Sequence, residues 1–410
     1  MHSPARRGTV YIFVLAAALI VVALGIAAVA VSRSRLAAAV AVSDRRAARA
    51  AAVGTLEAAL DASEGSLSWR ESLRSGGPVV SGAAGGVSVE GVVSDPADAN
   101  LSDDWTEPIQ IEAEGSLRGA RQRVSAEFSP RFRSSSGLGA ALCAGGSITL
   151  NSALVDVVGT VAAGKDIIAN GSTQAATLWS AGGTISGTGY TGTTATGAAA
   201  LELPTEDAIA YLEAEGTGIR YSSTGGLISS LLLSSAVNPY GSANPRGIYY
   251  IRCGRSPLVL KNCRIRGTLV VLEAGASFQI EGAVNIEPAE EGLPALVVDG
   301  ELYMMNTGAD LSESALSRNF NPAGSPYEGV SDSDQTDTYA NMITGIVWVT
   351  GSLKAAGPTL ACDGTIAVTG DAELYGSVLL RHREAQTLVP GLARVAGWDL
   401  NRATVRRRVD

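Results

Sequence analysis

Few residues in this chain are of types that could do chemistry, and they are scattered. Asp332, Asp334 and Asp337 sit close together in one polar stretch. Closely spaced carboxylates are what a calcium ion takes from a loop, which makes these three the candidate metal ligands. The glycine and distal glutamate of an EF-hand loop are missing around them, and a solvated polar loop is the competing reading. A second acidic group, Asp95, Asp98, Asp103 and Asp104, is open to the same two readings. The cysteines are Cys143, Cys253, Cys263 and Cys362, none in a CxxC pair, and the histidines are His2 and His382. A structural zinc site therefore has no ligand set. Cys253 and Cys263 share parity with apolar neighbours. They are either inward core positions or, in an oxidising compartment, a disulfide that closes a short loop.

The bulk properties narrow the class. A net charge of −9 argues against a protein that binds nucleic acid by neutralising phosphates. The 48 glycines, beside only 5% aromatic residues, favour a turn-rich β architecture. No cofactor motif is present and no cofactor is expected.

The elements that must position these residues begin with an apolar run. Residues 10–31 carry no charge and are long enough for a helix of about 30 Å to cross a bilayer. A secretory signal cut near Ala28-Val29-Ala30 is one fate for it, and a plain anchor held by Arg6 and Arg7 is another. Arg6-Arg7-Gly8 followed at once by an apolar helix resembles the leader of type IV pilin-like proteins. That resemblance implies cleavage after Gly8, a mature chain starting at Thr9, and a helix that stays. No proline lies between Pro4 and Pro78, so the helix can extend through residues 33–75. Leu36, Val40, Val53, Leu56 and Leu60 recur at near-helical spacing within it. Major pilins carry glutamate at the fifth position after the cut; Phe13 stands there, as in some minor pseudopilins of type II secretion, so the resemblance implies a minor or tip-like role or a relative outside the pilus altogether.

Residues 76–128 read as a small antiparallel β domain. Val87 with Val89, Ile109 with Ile111, and Val124 with Ala126 and Phe128 alternate with polar neighbours, and Asp95-Pro96 and Gly115 fall between the runs as turns. With the helix before it, this resembles the helix-plus-sheet roll of pilin-like proteins. Residues 129–146 read as a linker. From 147 to 385 the sequence repeats. "GSITLNSALVDVVGTV" (146–161), "GTLVVLEAGASFQIEGAVNI" (267–286) and "GTIAVTGDAELYGSVLL" (364–380) each give short period-two strands broken by single turns. "SAGGTISGTGYTGTTATG" (180–197) is a leaner copy. Such copies specify a β-solenoid, whose coils bury their inward residues only by stacking. A helical insertion at 204–216 and a long loop at 312–342 interrupt the stack. Residues 386–410 are a basic tail whose composition fits disorder.

Residues 143–380 resemble right-handed parallel β-helix proteins. The wording "GIYYIRCGRSPLVLKNCRIRGTLVVLEAG" and the "NFNPAGSPY…DTY" loop resemble an uncharacterised group of bacterial envelope proteins that join a pilin-like N-terminus to such a domain. Parallel β-helices often cleave polysaccharides. The Gly-His-Gly motif of polygalacturonase-type enzymes is absent, His382 stands alone, and Arg252, Arg255, Arg264 and Arg266 lack an acidic ladder. The expectation is a mainly β, non-enzymatic, single-pass envelope protein of the inner membrane, its N-terminus cytoplasmic and its C-terminal domain periplasmic or extracellular. Its role would be structural or adhesive, as a minor pilin-like component. Its partners would be the lipid bilayer, other pilin-like subunits and cell-surface polysaccharide, and not nucleic acid. A membrane-anchored β-helix that binds or cleaves polysaccharide is the alternative.

Overall fold

The computed structural model describes residues 7–63, 70, 77–84, 86–102, 104–151, 154–197, 199–384 and 386–409. The chain divides into two compact units, Met1–Arg131 with Ala396–Asp410, and Phe132–Val395.

The first unit opens with α1, Arg7–Ala62, one uninterrupted helix of 56 residues. Its early apolar side chains, Val10 to Val31, are all exposed, and the helix is long and apolar enough to cross a membrane. Its later part packs on strands β1 (Gly77–Ala84), β2 (Val87–Ser94) and β3 (Ile109–Leu117), and β4 (Ala120–Ser134) continues the sheet beside β3. The packed face is not the leucine and valine series of the sequence pattern. Ala48, Ala52, Thr55 and Ala59 are buried, while Leu36, Val40 and Val53 stay exposed and Leu56 and Leu60 lie at the margin. Small side chains let helix and sheet backbones approach closely. Gly115 meets them there, since a Cβ on it would lie 2.2 Å from the Ala48 carbonyl oxygen. Gly115 is therefore mid-strand in β3 and not a turn. The turn is Arg118-Gly119, both at positive φ, a two-residue hairpin loop of the kind that matches strand twist.

Ile109, Ile111 and Ala113 on β3, with Val124, Ala126 and Phe128 on β4, alternate inward as their spacing predicts. The fifth strand comes from the far end of the chain. Residues 393–409 form β24 (Ala393–Val409), which pairs with β4. The expectation of a disordered basic tail is thus corrected. The Glu127 amide donates to Thr404 Oγ1 (2.9 Å), Arg131 pairs with Asp399 (3.2 Å), and Trp398 packs on the core. Arg402, Arg406, Arg407 and Arg408 decorate an edge strand, where charge discourages further pairing.

The second unit is the parallel solenoid. It begins earlier than 147. After a 3₁₀ turn at Ser136–Gly139, β5 (Leu142–Ala144) is already buried in the stack, so most of the expected linker is folded. β6 (Ile148–Leu150), β7 (Leu154–Ala163), β8 (Ile167–Ser180) and β9 (Ile185–Thr196) complete the first group of coils. Helix α2, Asp207–Glu215, falls within 204–216 and lays Ala208 and Leu212 on the outer face against Ile248, Val270, Val297 and Trp348.

The second group of coils follows. It comprises β10 (Thr217–Gly218), a one-turn helix α3 (Tyr221–Thr224), β11 (Leu227–Ser229), β12 (Leu232–Ser234), β13 (Ile248–Arg252), β14 (Leu258–Arg266), β15 (Thr268–Glu287) and β16 (Leu296–Asn306). Then come β17 (Leu311–Ser312), α4 (Glu313–Leu316), β18 (Thr338–Tyr339), β19 (Met342–Val349), β20 (Leu353–Ala355), β21 (Thr359–Val368), β22 (Ala372–Leu374) and β23 (Ser377–Arg381).

Register explains why the copies read alike. Leu258, Phe278, Leu302, Leu353, Ala372, Ile148, Ile167 and Ile185 pair in one column, all buried but the last. The column also reveals a stacking order that differs from chain order. β21, β22 and β23 pair with β5, β6 and β7, so the first coil in the chain seats against the last. The chain enters mid-stack, winds to β9 at one end, crosses outside through α2 to β10 at the other end, and winds back to the middle. The Ser135 amide, where it enters, donates to the Leu392 carbonyl, where it leaves (3.0 Å).

Candidate functional site

The loop expected at 312–342 is a folded lobe. β17 and β18 pair antiparallel, and Ser312 caps α4 by accepting from the Ala315 amide. Its centre is Arg264 of β14, fully buried. One guanidinium nitrogen donates to the carbonyls of Phe320 (2.7 Å) and Ser325 (2.9 Å), the other to Glu287 (2.6 Å) and the Pro326 carbonyl (2.7 Å). The guanidinium also lies 5.2 Å from the Tyr327 ring and 5.3 Å from the Tyr339 ring, within cation–π range. Glu313 is equally buried and accepts from the amides of Phe320 and Asp337 and from the Tyr339 hydroxyl. Burial, then the hydrogen bond to Glu313, pushes Tyr339 far above its ordinary range.

Of the three aspartates predicted from sequence, the lobe brings two together. Asn321 Nδ2 donates to Asp337 Oδ2 (2.8 Å) and to Asp332 Oδ2 (3.2 Å). Asp334 points elsewhere and caps a local turn by accepting from the amide and hydroxyl of Thr336. Burial, then the charges of Asp332 and Glu313, raises the Asp337 carboxyl above its ordinary value. In the other acidic group, ligand oxygens of Asp95, Asp98 and Glu107 lie within 4.8 Å of one another. Asp95 and Asp98 also accept backbone amides two residues on, and Asp104 does the same for Thr106. Asp103 lies outside the described residues.

The cysteines resolve to one of their two readings. All four are free and buried, so the Cys253–Cys263 disulfide is corrected. Cys253 follows β13 at a coil corner, whereas Cys263 lies within β14 and its thiol donates to the Lys261 (3.1 Å) and Ile228 (3.4 Å) carbonyls. Burial pushes Cys143 and Cys362 up to about 12, and Cys253 and Cys263 to about 11. Gly8 and Thr9 lie in the first turn of α1, and Arg6 lies outside the described residues.

Three of the four arginines weighed as catalytic, Arg252, Arg264 and Arg266, are held by glutamates, while Arg255 is exposed. Arg252 bridges Glu213 (2.5 Å) and Glu273 (2.8 Å), and Arg266 lies 3.9 Å from Glu287. His382 Nδ1 faces Thr365 Oγ1 at 3.2 Å. A groove of about 910 Å³ opens on this unit beside Ser136, Tyr211, Arg246, Glu291, Gln386 and Leu388. Arg246 is fixed in it by Tyr211, Glu215 and Glu290.

The described parts define a class: an apolar helix continuing onto an antiparallel sheet, in one chain with a parallel β-solenoid. No family model matches the chain, and no curated protein matches it. Among solved structures it is similar to the competence-associated pilin ComZ from Thermus thermophilus, at 11% identity over 81% of this chain and 86% of that one, with a TM-score of 0.28. A likeness at that TM-score carries no argument about function.

Proposed function

We propose that this is a membrane-anchored envelope protein of pilin-like build, a structural component and not an enzyme, whose solenoid presents a surface outside the cytoplasm. The observation that carries the reading is α1 itself. One unbroken helix has a wholly exposed apolar segment and, further along, an alanine face buried on an antiparallel sheet. An exposed segment of that length finds its apolar environment in lipid or among like helices of other subunits. The Arg6-Arg7-Gly8 leader supports processing into a filament subunit. The test is intact mass with N-terminal sequencing of the protein from native membranes. A chain starting at Thr9 supports the filament reading, a start at Met1 or His2 reduces it to a plain anchor, and a start near Val31 overturns both.

The groove beside Tyr211 and Gln386 favours a second reading, in which the solenoid binds cell-surface polysaccharide. Its volume is that of a ligand site, and it offers an aromatic ring beside hydrogen-bonding side chains. Retention on a glycan array that is lost on Tyr211→Ala would support it.

A further inference from the structure

The two ends of the solenoid are finished differently. At one end the strands β10, β11 and β12 have two or three residues each and are interrupted by α3. The inward residues there, Ile219, Ile228 and Leu233, are buried, and Tyr221, Leu231 and Tyr240 pack against the core. The other end is β9, a strand of 12 residues that among the described residues pairs only with β8. Its inward positions continue the columns of Ile167, Thr173 and Leu178, all buried. Yet Ile185 and Tyr190 are only half-buried, and Thr194 is exposed. The core stops at β9 without a cap, and the outer backbone edge of that strand faces solvent.

Proteins usually blunt such an edge with charge, proline or short strands. β24 does so with its arginines, and the β10 end with its short strands. β9 does neither. No charged residue and no proline lies between Asp166 and Glu202. Asp166 itself is engaged one coil back, where it accepts from the Thr184 amide (2.7 Å) and hydroxyl (2.9 Å). Gly187, Gly189 and Gly192 turn the coil at positive φ, so its corners carry no side chain that would hold a partner off.

We propose that the β9 end is a docking surface for the β9 end of a second copy of this chain, the two solenoids meeting edge to edge about a two-fold axis. Charge selects that occupant. Each copy carries −9, so two copies repel over most of their surface and close best where charge is absent. A two-fold contact sets the same neutral edge on both sides. The leg that the axis crosses meets its counterpart antiparallel, and each strand offers the other its free amides and carbonyls. Thr177 and Thr193 already place their hydroxyls 3.0 Å apart between β8 and β9. Thr188, Thr191, Thr194 and Thr196 bring further exposed hydroxyls to the new seam. The coil over residues 180–197 runs for about 60 Å of backbone, and a band about 10 Å wide along it buries roughly 1,200 Å² over two copies, the lower end for a specific interface. The dimer is therefore weak and concentration-dependent. The surface lies within one unit and does not depend on the filament reading.

The experiment is sedimentation equilibrium of the full chain in detergent micelles over a range of concentrations, with hydrogen exchange followed across residues 185–196. Wild type is expected to pass from monomer to dimer, and the β9 amides to exchange more slowly as it does. Thr191→Lys and Thr194→Lys put like charges face to face across the two-fold and are expected to weaken the dimer by at least about tenfold. Both positions are exposed, so the monomers are expected to melt as the wild-type monomer does. Leu227→Lys, at the capped end, is expected to dimerise as wild type does. Wild type that stays monomeric overturns the proposal. So does a dimer that survives both β9 substitutions, which would place the contact on α1, or one that Leu227→Lys abolishes, which would place it at the other end.

Discussion

At the scale of single residues, this molecule keeps its reactive groups out of water. The four thiols lie in the solenoid with their pKa values raised by burial to between about 11 and about 12. An unfolded cysteine titrates near 8.5, so at alkaline pH the folded chain still holds protons that the unfolded chain has released. That fixes the sign. The contribution of these thiols is full below about pH 8.5 and is lost as pH rises toward 12, by up to about 1.4 kcal/mol per thiol per pH unit. Iodoacetamide at pH 8 is expected to label none of the four in the native protein and all four in denaturant, and native labelling of any one would contradict the burial. The cysteine parity in the sequence points inward correctly, because period-two spacing alone sets which face a strand residue takes. The lobe is less legible. Asp332 and Asp337 stand out as carboxylates, but Arg264 lies 56 residues before Phe320 and 61 before Ser325, and no local pattern records a contact made across coils. Asn321 and Glu313 carry no signal beyond their neighbours' polarity.

At the scale of elements, glycine and alanine decide where the helix meets the sheet. Gly115→Val would drive a side chain into the Ala48 carbonyl, where backbone on both sides leaves nothing to yield. The expected cost is about 3 kcal/mol, seen as a lower melting temperature of the full chain in micelles. Gly54, exposed on the same helix with nothing within 4 Å of its added Cβ, is the contrast. Gly54→Ala is expected to hold or raise stability by up to about 1 kcal/mol, since alanine favours a helix. A melting temperature unchanged by Gly115→Val would mean that helix and sheet do not pack this closely. Leucine and valine spacing draws the eye away from the alanine face. Close backbone contact leaves a signature of small residues, which an apolar periodicity does not contain. β24 is hidden in the sequence for a related reason: arginines that protect a sheet edge look like a solvated tail until the strand they edge is known.

At the scale of the whole chain, the repeats are legible and their order is not. Copies resemble each other because each coil places the same residue types in the same column, whatever its neighbour in the stack. Which copy stacks on which is fixed by contacts such as Leu380 against Val157, between β23 and β7. Leu380→Asp would put a charge at a site 1% exposed, with no partner for it. It is expected to lower the melting temperature sharply and to make residues 142–197 the first segment lost to limited proteolysis. Loss of another segment first would mean that this seam is not where the stack is joined.

The seam also sets a timetable. The Ser147 amide finds its acceptor on Asp371, 224 residues later in the chain. At about 5–20 residues per second, a ribosome needs roughly 10–45 s to supply it. Throughout that interval the first coils exist with a strand edge that nothing yet covers, and β4 waits still longer for β24. A protein built this way is exposed to mispairing for most of its own synthesis, so its yield in a cell should depend on whatever shields nascent strands more than on the stability of the finished fold.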